Sequence, residues 1–284
     1  MKRFVCMSMV VMVAISISSC MKEFDAKSYA PSKPLPSFDG FSSSKDIEPA
    51  SLVALWSFNG NLADSLSGTA GVNTGTSFGA GVAGKGLQGA DHSYVVSDVP
   101  SAVQGVHSFT ISTWYNMPQN TNALGLMSIA HTDNFWGNFD IFFDTGDADT
   151  PTSGILKVHM WNKSGSTAGS DAWEGGYTVT NPWNAWSQVL VTYDDAASTV
   201  TVYFNGKAVG TNAAGGFAPL DWSKAVKMVF GTMQFQTTPS LTTNTGAQDW
   251  AGFLTGKLDQ VRVYNKVLST DQIDALYNLE KAGR

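Results

Sequence analysis

The 284-residue sequence is poor in cysteine, in glutamate and in charge altogether. Its two cysteines, Cys6 and Cys20, both fall in the first twenty residues. The rest of the chain therefore has no material for a disulfide framework or a cysteine-ligated zinc site. Charged residues make up 14%, against roughly 25% in ordinary soluble domains. The formal charge is −6, and with no basic footprint the sequence argues against nucleic acid as a partner. There are four glutamates, Glu23, Glu48, Glu174 and Glu280, and only Glu174 lies away from the two ends. What is present is apolar and turn-rich: 43% hydrophobic residues, 12% aromatic and 28 glycines. That composition excludes a disordered chain.

The first residues read as an address. Lys2 and Arg3 precede an almost unbroken apolar run from Phe4 to Ile17. The run is too short to span a bilayer, which takes about 18 residues or more, and fits the apolar region of a signal peptide. It ends in Ile17-Ser18-Ser19-Cys20, which resembles the lipobox of bacterial lipoproteins. The resemblance implies cleavage before Cys20 and lipidation of that residue. Met21-Lys22-Glu23-Phe24-Asp25 loosely resembles the surface-export signal of Bacteroidetes lipoproteins. The expectation is a signal peptide over 1–19 and a lipid anchor in the outer membrane, on the cell surface. Residues 20–50 hold Pro31, Pro34, Pro36 and Pro49 with Ser42-Ser43-Ser44, and read as a lipidated N-terminus and an extended tether. One domain follows over 51–284.

Within that domain, short stretches alternate apolar and polar residues. Phe109, Ile111 and Tyr115 share a face, as do Leu156, Val158 and Met160. Val189, Val191 and Tyr193 form a third set, Val200, Val202 and Phe204 a fourth, and Val261 and Val263 a fifth. Period-2 alternation predicts half-buried strands. Asn205-Gly206 predicts a tight hairpin turn between two of them. Many strands without intervening helices indicate a sandwich or barrel. A single helix is predicted at the end. Ser269-Thr270-Asp271-Gln272 has capping-box form, and Ile273, Leu276 and Tyr277 make a stripe expected to pack on the sandwich edge.

Five blocks carry a family resemblance. They are Leu52 to Ser65, Gly84-Lys85-Gly86-Leu87-Gln88, Ser108 to Trp114, Trp186 to Asp194 with Tyr203 to Lys207, and Gly256 to Asn265 with the helix. In this order they resemble laminin-G-like, concanavalin A-like jelly-roll domains. The resemblance implies an all-β fold: a two-sheet antiparallel jelly-roll sandwich with one short C-terminal helix. Function is not implied, since such folds host lectins, hydrolases and adhesion modules alike.

Hydrolases of this fold use a Glu-x-Asp-x-x-Glu strand, and that motif is absent. Glycoside hydrolysis needs two carboxylates across the scissile bond. Asp140 and Asp144 share a strand face, but read as solvated outward residues. No Gly-x-Ser-x-Gly elbow is present either. The expectation is a protein that binds and does not catalyse.

Binding residues are read from alternation and from loops. If Leu156, Val158 and Met160 face the core, Lys157, His159 and Trp161 face outward together. Gln188 faces outward by the same rule. Trp136, Trp173 and Trp183 lie in Gly- and Asn-rich segments where loops emerge. Aromatic rings stack on sugar faces while Lys, His and Gln serve the hydroxyl rim. His107 and His131 have no partner at metal spacing. The candidate partner is an oligo- or polysaccharide, with outer-membrane glycan-uptake proteins beside it and the membrane reached through the lipid. A protein-binding module of an outer-membrane complex is the alternative, and a glycoside hydrolase ranks below it. No cofactor is required. A structural Ca²⁺ is left open by Asp144, Asp147 and Asp149, a dense acidic turn, and by Asp64 and Asp259, which match acidic positions in some relatives.

Overall fold

The computed structural model describes residues 35–162, 170–213 and 220–284. The expected signal peptide and Cys20 lie outside the described residues.

Two antiparallel sheets form the body. Sheet I has the order β14 (Lys207–Ala213), β13 (Thr199–Phe204), β12 (Ser187–Asp194), β6 (Phe109–Asn116), β17 (Lys257–Tyr264), β4 (Lys85–Gln88) and β3 (Ser77–Ala80), with β1 (Leu52–Trp56) also paired to β17. Sheet II has the order β10 (Ser170–Trp173), β9 (Ser153–Asn162), β8 (Phe139–Phe143), β7 (Ala123–His131), β15 (Ala225–Phe230), β5 (Tyr94–Asp98) and β2 (Gly71–Thr74). In sheet II β11 (Tyr177–Thr180) also pairs with β9, and the short β16 (Ala251–Gly252) runs parallel to β7. This is the two-sheet sandwich that the alternation predicts. The facing sides supply the core: Phe109, Ile111, Val189, Val191, Val200 and Val202 from sheet I, with Leu156, Val158, Met160 and Phe139 from sheet II. The Asn205-Gly206 turn joins β13 to β14 with φ of 50° and 76°, the left-handed pair that a two-residue hairpin needs.

The helix α1 (Thr270–Lys281) starts on the predicted capping box. Ser269 Oγ accepts from Gln272 N at 3.2 Å, and Gln272 Oε1 accepts from Ser269 N at 3.0 Å. It lies on the outer face of sheet I and not on the edge. Ile273, Leu276 and Leu279 bury against Leu190 and Tyr264, while Tyr277 stacks on Trp114 at 5.5 Å and 7°. Glu280 is the polar hub beneath it. It accepts from Arg262 Nε at 2.6 Å, Trp114 Nε1 at 2.7 Å and Gln188 Nε2 at 3.0 Å. Burial works against the Arg262 charge, but the Glu280 carboxylate outweighs it and raises the guanidinium pKa.

The second half of the expected tether is folded. From Pro36 the chain belongs to the same compact unit as the sandwich. Ile47 is buried among Leu190, Leu268 and Ile273, with Phe38 and Phe41 packed beside it. Ser43 and Asp46 make a capping box of their own. Arg284 donates to the carbonyls of Pro36 and Ser42, each at 2.6 Å. Proline and serine content alone hid these three apolar anchors.

Candidate functional site

The outer face of sheet II is built from one cross-strand row. Register places Ser128 beside Asp140, Asp140 beside His159, and His159 beside Trp173, across β7, β8, β9 and β10. These residues point away from the core because Leu156, Val158 and Met160 point into it. Trp161 and Asp171 form the next pair along β9 and β10.

His159 is fully buried and held from both sides. Its Nδ1 lies 3.0 Å from Asp140 Oδ2 and its Nε2 lies 2.7 Å from Asp171 Oδ1. Asp140 also accepts from Ser128 Oγ and from Gly137 N at 2.8 Å. Burial lowers the His159 pKa, but the hydrogen bonds and charges of Asp140 and Asp171 overcome it, so the net direction is up. Burial pushes Asp171 up, the imidazole pulls it down, and the net direction is down. Both ring nitrogens are therefore committed to carboxylates. His159 cannot serve a sugar hydroxyl, contrary to the expectation from alternation. It is a clamp under the aromatic layer, and Asp140 is a buried part of that clamp and not a solvated residue.

The aromatic layer lies above. Trp136 stacks on Phe142 at 5.3 Å and meets Trp173 edge-on at 4.9 Å. Trp250 closes on Trp136 at 5.9 Å and on Phe235 at 5.4 Å. Trp173 remains 44% exposed and Trp250 36%. Trp161 is half-buried and meets His131 edge-on at 5.3 Å. Lys157 stands opposite Phe142, with its charge already paired to Asp144 at 2.6 Å. Of the expected binding residues, the structure thus gathers Trp136, Trp173, Trp161 and Lys157 on one face, around the buried His159.

Two expected residues lie elsewhere. Trp183 is a core residue: its ring packs on Phe143 at 5.0 Å and its Nε1 donates to Thr150 O at 2.8 Å. The ring fits there because Gly154 has no Cβ, which would come within 2.4 Å of it. Gln188 does face outward from sheet I, but α1 covers it and Glu280 takes its amide. Trp250 is the residue that sequence reading missed. It sits in a Thr-, Asn- and Gly-containing loop, the same signal that singled out Trp136.

The acidic residues do not assemble a Ca²⁺ cage. Asp64 Oδ1 accepts from Leu55 N at 2.7 Å and Leu66 N at 3.3 Å, and Oδ2 accepts from Ser67 N at 2.8 Å. Asp259 accepts from Gln260 N at 2.8 Å and Ala83 N at 3.1 Å through its two oxygens. Burial pushes Asp259 up to about 7, against the pull of those backbone donors. All four oxygens already serve the chain's own donors. Asp144 is paired to Lys157, and Asp149 accepts from Ile155 N at 3.0 Å. Among the described residues no group of three or more His, Cys, Asp or Glu could hold a metal ion.

Fold and face together define a β-sandwich module with one side sealed by its own helix and the other left open and aromatic. Residues 87–274 match the family model Laminin_G_3, described as the concanavalin A-like lectin/glucanases superfamily, and the chain belongs to that family. Solved structures agree on the fold. The binding domain of Paraclostridial Mosquitocidal Protein 1 is 18% identical, with a TM-score of 0.57 over 83% of this chain and 53% of that one. Domain 4 of AbnA, a GH43 extracellular arabinanase from Geobacillus stearothermophilus solved with arabinotriose, is 18% identical, with a TM-score of 0.52 over 79% and 97%. The binding domain of botulinum neurotoxin DC in complex with SialylT is 13% identical, with a TM-score of 0.53 over 81% and 52%. The chain spans about half the length of the two toxin domains. No curated protein matches it.

Proposed function

We propose that the protein is a non-catalytic carbohydrate-binding module, anchored at the cell surface through Cys20. The observation that carries this reading is the exposure of Trp173 and Trp250 on a layer whose other rings hold them in place. Fixed, exposed indole faces suit the flat apolar faces of sugar rings, and Asp171, Asn134 and Lys157 supply polar groups near them. Membership in a lectin and glucanase superfamily supports the reading, as do the neighbours solved with arabinotriose and with SialylT. Catalysis is disfavoured by the lack of a free carboxylate pair: the Glu-x-Asp-x-x-Glu motif is absent and Asp140 is locked on His159. The anchor is supported by the order of charge, apolar run, small residues and cysteine at the N-terminus.

Labelled oligosaccharides applied to intact cells test both parts. Cells carrying the parent should bind, and Trp173→Ala should weaken binding about tenfold, as loss of a central aromatic contact does. Cys20→Ala should move the binding activity off the cells into the soluble fraction. Equal affinity of Trp173→Ala and parent would remove the aromatic face from the site.

A further inference from the structure

A cleft of about 550 Å³ opens beside the aromatic face, where three loops meet. They are the β4–β5 loop with Asp91 and His92, the β6–β7 loop with Gln119 and Asn120, and the long β15–β17 connection with Asp249 and Phe253. The volume lies within the roughly 300–1,000 Å³ of small-molecule sites. None of the tryptophans of the aromatic layer lines it. Asp249 and Ala251, on either side of Trp250, both do, so the two places share a rim.

The lining has a definite chemistry. It holds two carboxylates, Asp91 and Asp249, and no lysine or arginine. Its remaining polar groups include five side-chain amides: Gln119, Asn120, Asn122, Gln236 and Gln248. Phe253 contributes a ring that stacks on Tyr94 at 6.2 Å and 22° and meets His92 at 4.8 Å. Asn120 is 7% exposed, and its Nδ2 donates to Asn122 O and to Asp144 O, each at 2.7 Å. Its Oδ1 is buried without a hydrogen-bond partner.

We propose that this cleft is a second carbohydrate site, and that it takes uncharged sugars while rejecting acidic ones. The proposal rests on the glycan-binding function argued above. Asp91 and Asp249 accept from sugar hydroxyls, the Gln119 amide can donate as well as accept, and Phe253 offers its ring to a sugar face, while the Gln236 amide is spent on backbone groups of the chain itself. A uronic or sialic acid would bring its own carboxylate towards Asp91 and Asp249 with no lysine or arginine in the lining to offset the repulsion, the one group able to take a positive charge being His92, 3.6 Å from Asp91. Selection is thus made by like charge as much as by fit.

The test is titration of the purified full chain in detergent with neutral trisaccharides (arabinotriose, cellotriose, mannotriose) and with trigalacturonate. Asp249 is exposed, so Asp249→Lys should fold as the parent does. The parent should bind at least one neutral trisaccharide, and Trp173→Ala, which keeps the cleft and disables the aromatic site, should not bind trigalacturonate. Asp249→Lys should weaken the neutral ligand about tenfold or more, the loss expected for a hydrogen bond to a charged group. Phe253→Ala should weaken it too, with circular dichroism to confirm its fold. If Asp249→Lys and Phe253→Ala bind every neutral sugar as the parent does while Trp173→Ala loses binding, the cleft proposal is overturned and the aromatic site stands. If Trp173→Ala binds trigalacturonate as tightly as the neutral sugars, the selectivity of the cleft is overturned. If the parent binds none of the sugars, the glycan-binding reading falls and takes the cleft with it.

Discussion

The two outer faces of the sandwich are built alike and finished differently. Each carries a buried charged hub beneath aromatic rings. On sheet I the hub is Arg262 with Glu280, and the lid is Tyr277 stacked on Trp114. On sheet II the hub is Asp140 and His159, with the exposed Asp171 holding the imidazole from the rim, and the lid is Trp136 with Trp173. On sheet I the chain supplies everything: α1, Ile47 and Arg284 seal the face. On sheet II the lid comes from loops and a short strand, and Trp173 and Trp250 keep a face in water. The same architecture is thus a structural seam on one side and an open aromatic surface on the other. The difference lies only in whether a further layer covers the rings.

The largest expected effect breaks the sealed side. Glu280→Gln removes the charge facing Arg262, whose side chain is 4% exposed. Leaving a buried charge unpaired costs about 3–5 kcal/mol. Urea unfolding should show a loss of that size, with the affinity for oligosaccharide unchanged in the folded protein. A loss under 1 kcal/mol would mean that water reaches Arg262 and that the seam is looser than its contacts imply. On the open side the signs reverse. The Trp173→Ala variant that loses binding gives up ring contacts with Trp136 and His159, about 1–2 kcal/mol, and should stay clearly less destabilised than Glu280→Gln. If it costs as much as Glu280→Gln, the aromatic layer is a second core and not an open surface.

The hub of sheet II should also titrate. The His159 pKa is raised in the folded protein. Its contribution is complete below the ordinary histidine value of about 6.5 and is lost as pH rises through the folded value. The Asp171 pKa is lowered, so its contribution is present above about 3.9 and lost as pH falls through the folded value. The clamp is therefore complete between those limits. Melting curves of the parent and of His159→Gln should differ most near pH 5.5 and converge towards pH 9. A constant gap would show that His159 stays neutral throughout.

How far the sequence carried the reading depended on how local the cause was. Alternation in 187–193 and 199–205 predicted β12 and β13, because burial on one face writes period 2 directly into the residues. The turn at Asn205-Gly206 and the cap at Ser269 were legible for the same reason, since each is closed within four residues. Alternation also placed Lys157, His159 and Trp161 on the outer side of β9 correctly. It could not show that Asp171, on the next strand, would reach across and consume the His159 ring. Nor could it show that α1 would lie over Gln188, since an amphipathic stripe says that a helix docks but not where. Trp183 looked like a loop residue until Gly154 made room for it in the core. The cleft was least legible of all. Asp91, Gln119 and Phe253 belong to three loops far apart in sequence, and no spacing rule connects them.

The smallest expected effect concerns calcium, and it bears on which face a cation could serve. Asp64 caps the loop after β1, and Asp259 sits in β17, both on the sheet I side. A resident Ca²⁺ at a hundred times its Kd would add about 2.7 kcal/mol to the folded state. In a domain of this size that is roughly 5–10 °C in Tm, at about 2–4 °C per kcal/mol. The hydrogen bonds argue for no such gain, because the oxygens of Asp64 and Asp259 already face N–H and O–H donors. Thermal melts in EDTA and in millimolar Ca²⁺ should therefore coincide to within about 1 °C, well under that shift. A rise of several degrees in Ca²⁺ that is abolished by Asp64→Asn would show that the loop after β1 can turn its oxygens outward to a metal. The sealed side would then need an ion, as well as α1, to stay shut.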